Sequence, residues 1–155
     1  MNYRITGLDP APFRDLYGMD QGELLRRGVH RSLVTTPHSA PDRIELRDAE
    51  PGETVLLLNH VYLDAASPYR GTHAIYVREW AEQCYDSINQ VPLALQTRLI
   101  SLRAFDANAN MVDAEVTEGT ELEPLIEQFL SRREVTFLHA HHARRGCYAA
   151  RILRA

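Results

Sequence analysis

Two hairpin patterns bracketing one amphipathic helix constrain this chain more than any other feature. Leu99 to Phe105 and Met111 to Val116 are strand-like runs joined by Asp106-Ala107-Asn108-Ala109-Asn110, which is turn chemistry. Val135 to His142 and Cys147 to Leu153 repeat the arrangement around Ala143-Arg144-Arg145-Gly146. Between them, Leu122, Leu125, Ile126, Phe129 and Leu130 fall at i, i+3, i+4, i+7 and i+8, a single helical stripe. Thr120 and Glu123 read as a capping box, Pro124 is tolerated in the first turn, and Arg132 and Arg133 sit at the negative end of the helix dipole. Such a stripe needs a sheet to lie on. Adjacent hairpins favour antiparallel pairing, and no regular β-α-β alternation is present. The expected fold is therefore α+β: a mainly antiparallel sheet, a C-terminal hairpin-helix-hairpin unit and short N-terminal helices, in one domain spanning 1–155.

The first half is less sharply patterned. Asp9 can cap a turn starting at Pro10 and closed by Gly18; Asp20 with Glu23 forms a second capping-box pattern, ended by Gly28. Val29 to Val34 suggests a strand, and Arg43-Ile44-Glu45-Leu46-Arg47 alternates charged and apolar residues like a half-exposed one. Val55 to Leu58 reads as a central strand and His73 to Arg78 as another, with a loop from Asp64 to Gly71 between them. Residues 79 to 98 read as loop, then a helix starting near Pro92.

Composition excludes several functions. The formal charge is −4 and no basic run exceeds a pair, so the clustered positive face that nucleic acid or an anionic membrane surface requires is missing. All 17 cationic side chains are arginine. Without lysine there is no Schiff-base chemistry with pyridoxal phosphate and no phosphate-loop lysine, and the glycine-rich nucleotide loop is absent too. No apolar run reaches membrane-span length, and the N-terminus lacks a signal-peptide pattern. A cytoplasmic, reducing location is expected, with Cys84 and Cys147 as free thiols.

Three groups could carry chemistry. On a strand, His139 and His141 point to the same side about 7 Å apart while His142 faces away. The pair could bind one anion, or supply half of a zinc or iron site with a third ligand from His60, His73, Asp113 or Glu115. The plainer reading is a pair of hydrogen-bonded strand-end histidines, and a divalent metal is not favoured. Cys147 lies opposite His142 if residues 143 to 146 form the whole turn, which would make it a candidate nucleophile, although a buried inert cysteine is commoner. Arg103 on its strand and Arg70 in its loop are candidate clamps for a carboxylate or phosphate. The alternative for Arg103 is an internal ion pair with Asp113.

The stretches Tyr3-Arg4-Ile5-Thr6-Gly7-Leu8, Leu56-Leu57-Leu58-Asn59, Ser67-Pro68-Tyr69-Arg70 and His73 to Arg78 resemble the bacterial family catalogued as domain of unknown function 1203. So do Ser101 to Asp106, Met111 to Ala114 and His139-Ala140-His141 with Gly146-Cys147-Tyr148-Ala149, in family order over nearly the whole chain. In the family pattern an asparagine commonly follows the second histidine, where this chain has His142. The resemblance implies a bacterial protein but no reaction. The residues then leave three readings. The first is binding, with or without turnover, of a small anionic molecule where the Arg70 loop meets the strands carrying Arg103, His139 and His141, with His73 and Asp113 nearby. The second is a non-catalytic interaction or structural protein, a homodimer pairing through a strand edge. The third is a metal-dependent enzyme using His139 and His141.

Overall fold

The computed structural model describes residues 1–155 as two antiparallel sheets. The strands are β1 (Tyr3–Thr6), β2 (His30–Leu33), β3 (Thr54–Leu63), β4 (Gly71–Arg78), β5 (Asp86–Ile88), β6 (Leu99–Phe105), β7 (Met111–Glu118), β8 (Phe137–His142) and β9 (Tyr148–Arg154). The helices are α1 (Gln21–Arg26), α2 (Leu93–Gln96) and α3 (Leu122–Leu130), with a 3-10 turn at Ala11–Leu16. The larger sheet runs β5-β1-β9-β8-β6-β7 and the smaller β2-β3-β4. Every pairing between these strands is antiparallel, which with the separate helices makes the fold α+β.

The stripe of α3 lies on one face of the larger sheet. Leu122, Ile126, Phe129 and Leu130 are buried against Ile5, Leu102, Ala140 and Ile152, and each such side chain contributes roughly 1.5–3 kcal/mol. The expected capping box does not form. A 3-10 turn at Gly119–Glu121 precedes the helix and Glu121 takes the cap position with no side-chain bond. Glu123 instead accepts a hydrogen bond from the Tyr3 hydroxyl at 3.0 Å. At α1 the pattern is half realised. Asp20 accepts from the Gly22 and Glu23 amides, but Glu23 turns to Arg26 and Arg27. The smaller sheet packs Leu56, Leu58, Ile75 and Val77 against Phe13 and Leu24.

Two strands escaped the sequence reading. β1 and β5 are four and three residues long, and β1 occupies the place beside β9 that links β5 to the sheet. The expected strand at Arg43 to Arg47 is a correction: these residues form a turn, and Leu46 has φ 51°. Side chains compete with a ladder there. The Asp42 carboxylate accepts from the amides of Glu45 (2.6 Å) and Arg78 (2.7 Å). The turn joins the two sheets. Arg43 N–H donates to Tyr76 of β4, and its carbonyl accepts from Leu8 just past β1. Gly7 makes this seating feasible, since a Cβ there would stand 2.1 Å from the Ile44 carbonyl oxygen.

Candidate functional site

Alternation along β8 sends its histidines to two different environments. His139 and His141 share the face turned toward β3, their ring centroids 6.1 Å apart. There they are sealed. Tyr62 stands edge-on to His141 at 5.0 Å, Tyr148 edge-on to His139 at 5.0 Å, and Phe105 and Phe137 flank His139 at 5.2 Å. His141 Nδ1 lies 2.9 Å from the Gly146 carbonyl oxygen. His139 Nδ1 and His141 Nε2 have no hydrogen-bond partner. Burial, reinforced by neighbouring cations, pushes His139 down to about 3 and His141 to about 4. Both are therefore neutral packing imidazoles at neutral pH.

Arg103 is brought to this face, directly opposite His139 across the β6–β8 ladder. The other expected partners are not. Asp113 lies opposite Ala104, one residue out of phase with Arg103, and its carboxylate pairs with Arg132. Arg70 is exposed and pairs with Asp64 at 3.0 Å. His73 places Nε2 3.0 Å from the Arg145 carbonyl oxygen, bracing the β8–β9 turn. No three histidine, cysteine, aspartate or glutamate side chains converge as a metal-ligand set, so His60, His73, Asp113 and Glu115 do not complete the pair.

A cavity of about 640 Å³ opens at the other end of the strand pair. His142 forms part of its wall, on the opposite side of β8 from His141. Cys147 lines it as well, its carbonyl accepting from the His142 amide at 2.9 Å, so the two are cross-strand neighbours beside the 143–146 turn. Four arginines complete the basic lining: Arg43, Arg98, Arg144 and Arg145. Glu118 is the one carboxylate in the wall. Arg98 is neutralised by Asp48 at 2.6 Å. Burial opposes ionisation of Asp48, yet Arg98 and His38 hold its carboxyl below the ordinary carboxylate range. Arg144 and Arg145 project from the turn, exposed and free of ion pairs.

Arg43 is the unusual member. It is 2% exposed, and no carboxylate pairs with it. Its guanidinium donates to the carbonyls of Tyr148 (2.6 Å) and Pro41 and to Cys147 Sγ at 3.1 Å. Burial pulls the guanidinium down, opposed by Cys147 and Asp42 nearby. A buried charge without a paired carboxylate is costly unless something answers it, and here two carbonyls and a sulfur accept from its three nitrogens, with Asp42 nearby. The expected cysteine–histidine pair needs correcting on this point. The group that touches the sulfur is a guanidinium, while burial pushes His142 down to about 3 and leaves its Nδ1 without a partner. His142 is thus a neutral imidazole at neutral pH. The sequence reading missed Arg43 because charged-apolar alternation made it look solvent-facing. It missed Arg98 because no motif surrounds it. Arg144 and Arg145 were visible only as a turn.

Fold and cavity define an antiparallel α+β protein with an arginine-lined recess beside the last hairpin of its larger sheet. No curated protein and no solved structure matches the chain. The chain belongs to the family described as protein of unknown function (DUF1203), whose family model matches residues 39–154, in agreement with the resemblance in its motifs. Every basic residue of the cavity named above except His38, which lies one residue before it, is inside the matched segment.

Proposed function

We propose that the protein binds a small anionic molecule, a carboxylate or phosphate, in the cavity at the β8–β9 turn. The observation that carries this reading is that Arg43, Arg144 and Arg145, none of them in an ion pair, all line this cavity. Guanidinium groups present forked donors that match carboxylate and phosphate oxygens. The recess lies within the usual size range for a small-molecule pocket of about 300–1,000 Å³. Arg103, His139 and His141, the centre expected from alternation, are in this reading the packing between the sheets.

Thermal denaturation with inorganic phosphate or citrate tests the reading. A ligand that binds only the folded chain raises its stability by RT ln(1 + [L]/Kd), about 2.7 kcal/mol at one hundred times Kd. The rise should saturate, vanish in the double variant Arg144→Gln/Arg145→Gln, and persist in Arg70→Ala. Unchanged melting with both anions, or loss of the effect in Arg70→Ala, refutes the assignment of this cavity.

A further inference from the structure

We infer that the ligand of the arginine-lined cavity is amphiphilic, a phosphate or carboxylate carrying an uncharged apolar chain, and that the chain lies in a second recess beside the first. The inference rests on the anion-binding reading above and names the class of molecule taken. The second recess has a volume of about 430 Å³ and shares His38 with the arginine-lined cavity. The two adjoin at Arg98. Its guanidinium, in the lining of the first, donates to the Asp48 carboxylate at 2.6 Å and to the Ala94 carbonyl at 2.8 Å, and both of those residues line the second. It also donates to the His38 carbonyl at 3.0 Å. Arg98 and Asp48 are mostly buried side chains, whereas His38 is exposed. The ion pair therefore forms a floor common to both recesses, with His38 standing beside it.

The two recesses differ in charge. In the first, Arg43, Arg144 and Arg145 have no ion pair. In the second the one arginine is answered, since Arg47 pairs with Glu45 and Glu53 at 2.8 Å each, and Asp48 is answered by Arg98. Glu50 is the one carboxylate there without an ion pair, and it repels a second anionic group. The rest of the lining, Pro37, Ala49, Pro51, Leu93 and Ala94, has no polar side-chain atom. Leu93, the first residue of α2, is 66% exposed. A single exposed leucine on a surface is ordinary. This one stands with two prolines beside a floor that begins among unpaired guanidiniums. Proline and alanine lose no rotamer freedom when covered, so an apolar chain laid on them removes hydrocarbon from water at little entropic cost.

Calorimetric titration with monoalkyl phosphates from methyl to hexyl tests this on the intact protein. A fully buried methylene raises affinity about fourfold. The exposure of Leu93 leaves one side of the chain in water, so the series as a whole should gain about tenfold or more. The gain should shrink in Leu93→Asn, whose exposed position spares the fold, and persist in Ile88→Asn, a similarly exposed residue on β5. Hexyl phosphate should bind more tightly than its analogue ending in an ammonium group. If inorganic phosphate stabilises the fold but methyl and hexyl phosphate bind alike, the inference is wrong and the binding reading stands. A chain-length gain unchanged in Leu93→Asn puts the chain elsewhere, and tighter binding of the ammonium-ended analogue makes Glu50 the selector; either overturns the inference. If neither inorganic phosphate nor any alkyl phosphate binds, the binding reading fails and takes this inference with it.

Discussion

Acidification from about pH 7 to 5 should destabilise the fold steeply through three buried histidines. His139, His141 and His142 are pushed from 6.5 to about 3, 4 and 3, chiefly by burial. In the unfolded chain each returns to about 6.5. Below that value the unfolded chain takes up protons that the folded chain refuses. The stability held by the neutral imidazoles is therefore complete above pH 6.5 and is lost as the pH falls toward 4 and then 3. Each histidine contributes roughly 1.4 kcal/mol per pH unit inside that window, so the three together contribute about 4 kcal/mol per unit. A fold worth about 10 kcal/mol at neutrality would then unfold near pH 4. The arginine-paired carboxylates do not obscure the interval from 6.5 to 5. Glu53, held at about 2 by Arg47, loses its contribution only below the ordinary carboxylate value of 4.5. Asp42 works in the opposite sense, because burial pushes its carboxyl up, and can offset at most one proton. Urea denaturation across this range measures the slope, which should correspond to two or three protons taken up on unfolding. His139→Gln should remove one of them. Stability that changes by less than about 1 kcal/mol between pH 6.5 and 5 would mean the imidazoles protonate in place, and the argument from burial would be refuted.

Three further substitutions probe the frame around the cavity. Gly7→Ala puts a methyl group 2.1 Å from the Ile44 carbonyl oxygen, so the turn bearing Arg43 must shift. Chemical denaturation should show a loss of about 2 kcal/mol or more, accompanied by weaker stabilisation by phosphate. Glu79→Gln removes the buried carboxylate that holds Arg31, the Gly18 amide and Thr54, and should cost about 3 kcal/mol in the same assay. Phe129→Ala empties a 3% exposed position on the α3 stripe and should cost about 3–5 kcal/mol while leaving the rise in stability with phosphate unchanged.

Sequence periodicity made the second half of the fold legible because the elements there are local. β6 and β7 adjoin in sequence, as do β8 and β9, and α3 carries an uninterrupted apolar stripe, so pattern and partner lie within one short stretch. β1 had no such signal. It is four residues long, and its partners, Arg151 to Arg154 and Asp86 to Ile88, are far along the chain. The 43–47 segment was misread for a related reason. Its alternation fits a half-exposed strand, but the bond that the Asp42 carboxylate accepts from the Arg78 amide and the one that Arg43 donates to the Tyr148 carbonyl decide its shape.

The same limit governs the candidate site. A period of two states which histidines of β8 share a face, and the rings of 139 and 141 do lie together. It cannot state which face meets solvent, because that depends on what the rest of the chain lays over each side. Tyr62, some eighty residues away in sequence, covers His139 and His141. The turn through Arg43 places its guanidinium on Cys147, just before β9, among the residues that line the recess with His142. One residue's step along the strand thus separates imidazoles that pack between sheets from one in a cavity wall. The arginines that distinguish that cavity come from three separated segments, 43, 98 and 144–145. Only folding makes them neighbours, and the lack of an ion pair at three of them is a property of the assembled surface that no local motif encodes.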